Sequence, residues 1–71
     1  MFKNLQILMI NNNISENDIA LTLNLTIKAV QNRFNGITDF KRIEMLEIKK
    51  KYFPNYTLDQ LFDNDVNLIK N

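Results

Sequence analysis

The chain has no cysteine and no histidine. A disulfide scaffold is therefore excluded, and a structural zinc module nearly so. Nucleophile–base pairs built on Cys or His are excluded with them. Ser15 is left to pair with a lysine or an acid, and no oxyanion-hole pattern accompanies it. The sequence thus reads as a non-enzyme with no metal and no cofactor. Glycine and proline occur once each, as Gly36 and Pro54, which favours helices joined by few tight turns. No apolar run approaches the roughly 20 residues that span a bilayer. The N-terminal segment carries no signal-peptide pattern, because no small cleavage-type residues follow Ile7–Ile10. These readings predict an intracellular, cytoplasmic protein with no membrane partner.

What is present fits one small helical domain spanning residues 1–71, with a core over about 2–64 and a tail or interface segment over 65–71. Apolar residues make up 45% of 71, enough for a core but little for a stable monomer. A partner subunit is the expected remedy, so a homodimer is predicted. Net charge is +1. Residues 1–36 carry +1, residues 37–53 carry +2 and residues 54–71 carry −2, which separates a basic middle from an acidic end.

Periodicity places five helices. The first runs from about Phe2 to Met9 and ends at Asn11-Asn12-Asn13. The second runs from Glu16 to Leu23, with Ser15 as N-cap and Asp18 completing an acidic capping box. The third runs from Ile27 to Phe34, capped by Thr26 and closed by Asn35-Gly36. The fourth begins near Asp39 or Phe40 and runs to Tyr52, with Phe40, Ile43 and Leu46 as its inward face and Met45 and Ile48 at the margin. The fifth follows the capping box Thr57-Leu58-Asp59-Gln60 and buries Leu58, Leu61 and Phe62. Only Asn24, Leu25 and Thr26 separate the second helix from the third, so the two must meet steeply. That is the sequence form of a helix-turn-helix, the unit that lays its second helix in the DNA major groove. Ala20 is small enough to let the pair cross closely.

Ser15-Glu16-Asn17-Asp18-Ile19-Ala20, then Leu25-Thr26, Val30 and Phe34-Asn35-Gly36, resembles the Cro and phage-repressor helix-turn-helix family. Thr38-Asp39-Phe40 and Tyr56-Thr57-Leu58-Asp59-Gln60-Leu61-Phe62 resemble small Cro-type regulators of prophages. The likeness covers roughly residues 2 to 64. It departs at Asn24, where the family has a turn glycine, at Glu16, where glutamine is usual, and at Ile27, where a glutamine often reads adenine. An isoleucine at that position is able to pack on a thymine methyl instead.

The resemblance implies an all-α, five-helix lambda-repressor-like DNA-binding domain. It implies a sequence-specific transcriptional regulator, phage or prophage encoded, that occludes a promoter on a double-stranded operator and takes no small-molecule ligand. Ile27, Lys28 and Asn32 fall on base-touching positions, with Gln31 beside them. Lysine donates to guanine, and glutamine or asparagine pairs with adenine. The bland alternatives are a solvated helix face for the polar residues and core packing for Ile27.

Thr26, Arg33, Asn35, Thr38 and Lys41 are the phosphate candidates, with Arg42 beside them and the amides at the start of the fourth helix as a further anion site. Their alternatives are caps for Thr26, Asn35 and Thr38, and solvated charge for the rest. Lys49-Lys50-Lys51 reads as a helix end that suits the dipole. Glu44 and Glu47 read as partners in surface ion pairs with Lys41 and Lys51. Phe53 and Leu58 are expected in the core. Phe62, Val66 and Ile69 are expected at a dimer interface. The rival from another class is a protein-binding module on the same fold, such as a phage-encoded inhibitor of a host protein.

Overall fold

Helix ends organise this chain, and most of them are closed by the residues that the sequence marks. The computed structural model describes residues 1–63 and is all-helical there, with five helices and no strand among the described residues. They are α1 (Lys3–Asn11), α2 (Glu16–Leu23), α3 (Ile27–Phe34), α4 (Arg42–Tyr52) and α5 (Leu58–Phe62). The expected dimer residues Val66 and Ile69 lie outside the described residues.

Ser15 Oγ accepts from the Asp18 amide at 3.1 Å, and Asp18 Oδ2 accepts from the Ser15 amide at 2.9 Å. Thr57 and Gln60 make the same reciprocal pair at the start of α5, at 3.0 and 2.9 Å. At α3, Thr26 Oγ1 accepts from the Ala29 amide at 3.1 Å. Each cap satisfies donors that a helix start leaves orphaned. The C-terminal ends of α1, α2 and α3 share one closure. Asn13 and Asn24 (φ 58°) and Gly36 (φ 79°) take the left-handed conformation. The next residue then donates back across the last turn: Ile14 to Met9 O, Leu25 to Ala20 O and Ile37 to Asn32 O, at 2.8, 2.9 and 2.9 Å. Asparagine is the side-chain-bearing residue that tolerates this conformation best. Part of the chain's asparagine content therefore has a structural use.

Every helix contributes one fully buried side chain: Leu5, Ile19, Val30, Ile48 and Leu61. α2 packs on α3 and α4, and α5 packs on α1 and α4. Ala20 is buried in α2. Beside this aliphatic centre, Phe2, Phe34, Phe40 and Phe62 form an edge-to-face cluster with ring centroids 5.3–6.4 Å apart. The cluster joins the first residues of the chain to the end of α3 and the end of α5.

Three expectations are corrected here. α1 continues to Asn11 rather than stopping at Met9. α4 begins at Arg42, so Phe40 is buried from the extended segment before the helix and does not set its phase. Ile43 is accordingly 64% exposed, whereas Ile48 is fully buried and Glu44 is buried beside it. Phe62 is 9% exposed and packs in the core against Phe2 and Phe40, so it is not a free interface residue.

Candidate nucleic-acid interface

α3 is amphipathic with two opposed faces. Val30 and Phe34, one turn apart, are buried and hold the helix from behind. On the other side Lys28 and Gln31 are exposed and Asn32 is half-buried, while Ile27, three residues before Val30 and seven before Phe34, lies near the edge of the inward stripe and is exposed at the helix start. Of the four base-contact candidates, three are therefore exposed. Asn32 flanks them, and its carbonyl accepts from the Ile37 amide at 2.9 Å and the Thr38 amide at 3.3 Å. Those bonds fold the α3–α4 connection back on the end of α3. Ile27 is 44% exposed, which settles its alternative: it is not a core residue.

Thr26, Asn35, Thr38, Lys41 and Arg42 are exposed along the two ends of α3 and the connection that follows. Thr26 accepts a bond with its hydroxyl oxygen, so the O–H remains able to donate. Asn35 is the C-cap residue of α3 and its amide donates to Gln31 O at 2.9 Å. Thr38 is not an N-cap; Lys41 occupies that position before α4.

Arg33 is the phosphate candidate that turns inward. Its Nε donates to Glu44 Oε1 at 2.8 Å and its Nη2 to Glu44 Oε2 at 3.0 Å, a bidentate pair. Nη1 donates to Ala29 O at 3.2 Å. Both side chains are only 11% exposed. Three of the five guanidinium N–H donors are committed in this way, and the group is drawn inward from the surface. Glu44 is equally committed: Oε1 also accepts from the Lys41 amide at 2.9 Å. Burial acts to raise the Glu44 pKa. The Arg33 bond, the Lys41 amide and the nearby positive charges outweigh it, so the carboxyl lies below its ordinary value. Glu44 thus brings a negative charge to the start of α4, where an anion was expected, and the surface pair with Lys41 is replaced by this buried one.

The pair was partly visible in the sequence. Arg33 is three residues after Val30 and one before Phe34, on the flank of the inward stripe. Its partner stands eleven residues away, beyond any local spacing rule. A second tie was missed in the same way. The Tyr52 hydroxyl lies 2.9 Å from Thr22 Oγ1, which itself donates to Asp18 O at 2.9 Å, and so binds α4 to α2. Glu16 is half-buried and lines a pocket with Gln6, Met9, Ile10, Ile14 and Phe34. Among Lys49, Lys50 and Lys51, Lys49 Nζ donates to Pro54 O at 2.8 Å and Lys51 lies 5.8 Å from the Tyr52 ring centroid, as suits a helix end.

No group of three metal-capable side chains occurs among the described residues, and no described helix is long and apolar enough to cross a membrane. Comparison with protein-family models, curated proteins and solved structures returned no match.

Proposed function

We propose that this protein is a sequence-specific DNA-binding regulator of Cro or repressor type. α2 and α3 form its helix-turn-helix, and it acts by occluding a promoter in a phage or prophage. One observation carries the reading. An eight-residue helix is anchored by Val30 and Phe34 and presents Ile27, Lys28 and Gln31 outward, with Asn32 at the edge. Recognition helices have this division of labour, and the three-residue connection Asn24-Leu25-Thr26 after α2 has the length the motif requires. Thr26, Asn35, Thr38, Lys41 and Arg42 supply phosphate donors around it, while Arg33 holds α3 to α4. The protein is proposed to bind as a homodimer on two half-sites in the host cytoplasm.

The test is selection of bound duplexes from a random pool by the full chain. A recurring sequence is the expected result, with two copies at a fixed spacing if the chain binds as a dimer. Affinity for it should fall steeply with salt as counterions are released. Pools that remain unenriched at low ionic strength refute the proposal.

A second reading draws support from the Arg33–Glu44 pair. With Arg33 neutralised, Lys28 is the one remaining cation of α3. A protein-binding module on the same fold, such as an inhibitor of a host protein, needs no more charge than that. Indifference to duplexes at low salt is the outcome that favours it.

A further inference from the structure

An open recess of about 490 Å³ between α2 and α4 is lined by Leu21, Thr22, Glu47, Lys50 and Lys51. The two helices are tied beside it by the Thr22 and Tyr52 hydroxyls, 2.9 Å apart. Leu21 is 74% exposed there. Along α4, Ile43, Glu47 and Lys50 recur at one-turn spacing, share a face and are all exposed. Ile43, expected in the core, thus extends the recess as outward apolar surface. The cations are committed to no carboxylate. Glu47 and Lys51 are spaced for an ion pair and make none, and Lys50 has none among the described residues. Exposure alone does not single out Leu21, since Ile10 is equally open. The recess beside Ile10, however, holds Glu16 and no cation.

We propose that the α2–α4 recess docks a segment of a partner protein that carries an apolar side chain next to carboxylates. The apolar side chain covers Leu21 and Ile43, which gain by leaving water. The carboxylates meet Lys50 and Lys51, and a basic segment is repelled by the same pair. Glu47 fixes the direction. It stands between Ile43 and Lys51, so the carboxylates belong at the C-terminal end of α4 and the apolar side chain toward Ile43. The proposal is independent of what α3 binds.

The experiment pans a random linear peptide library on the full chain at low salt, then titrates a recovered peptide carrying a fluorescent label. Recovered peptides are expected to hold Asp or Glu beside an apolar residue and to bind more weakly as salt rises. Leu21→Ala should weaken binding at least about tenfold, the lower end of what burying a leucine contributes. Alanine suits the helix, so that variant should stay folded, which circular dichroism checks. Ile7→Ala, which truncates an exposed apolar side chain on α1, should leave the affinity unchanged. The double variant Lys50→Glu/Lys51→Glu should lose the peptide and bind one in which lysine replaces the acids.

An unenriched library, recovered peptides without acids, or equal affinity in Leu21→Ala and wild type overturns the proposal. Three further outcomes also overturn it by assigning the recess elsewhere. Self-association that Leu21→Ala abolishes, with no peptide bound, assigns it to a second copy of the chain. Peptide binding gained only in Asp65→Asn assigns it to the chain's own end. Duplex affinity lost in Lys50→Glu/Lys51→Glu, with no peptide bound, assigns it to nucleic acid.

Discussion

At the scale of single residues, the Arg33–Glu44 pair is the contact on which most depends. Two nearly buried charges meet in bidentate geometry, and the same carboxylate takes the Lys41 amide. Removing one partner strands the other. Glu44→Ala should therefore cost about 3 kcal/mol in denaturant unfolding. The pair also fixes a pH dependence. Because the Glu44 pKa is lowered in the folded chain, the unfolded chain binds the proton more readily. Its contribution is complete above the unfolded carboxylate value of about 4.3 and is lost as pH falls through the lower folded value. Melting temperatures of the wild type should drop over that acid window, and Glu44→Gln should show a shallower drop from a lower starting stability. Equal slopes would mean that other carboxylates govern the acid limb. Tyr52→Phe, which removes the hydroxyl next to Thr22, should cost about 1 kcal/mol.

At the scale of elements, helix starts were legible and helix phase was not. Ser15, Thr26 and Thr57 announce their helices because a cap is a local bond between residues three apart. The bounds of α2 and α3 follow from those caps and from the left-handed residues Asn24 and Gly36. α4 lacks such a mark. Its N-cap is Lys41, whose side chain has no acceptor to offer, and the bond that closes the helix start comes from Glu44, which pairs with a distant arginine. Counting apolar residues from Phe40 therefore put the stripe on the wrong side and left Ile43 facing inward. The open face of α3 was legible by the same periodicity that buries Val30 and Phe34, whereas the loss of Arg33 to the interior was a tertiary event. Two substitutions test the element account by thermal unfolding. Thr26→Ala should cost about 1 kcal/mol, as a lost N-cap does. Asn24→Ala should destabilise, and Asn24→Gly should be neutral or better, because only the alanine is strained at positive φ.

At the scale of the whole molecule, the five helices converge on one aliphatic centre and an aromatic cluster, and α3 is held on the outside of both. The Gln31 residue is exposed on α3. Gln31→Ala should leave stability within about 0.5 kcal/mol of wild type while relaxing sequence choice at one base position. Phe62 behaves oppositely. It is part of the core, so truncating it should unfold the domain rather than merely separate two copies. The proposal as a whole stands on where a nucleic acid would touch. An amide NMR titration of the isotope-labelled full chain with the pool-selected duplex reads that directly. The expected result is a set of perturbed amides centred on Ile27, Lys28, Gln31 and Asn32 and extending to Thr38 and Lys41. Unchanged α3 signals, or changes confined to the exposed Ile7 and Ile10 side of α1, would contradict it.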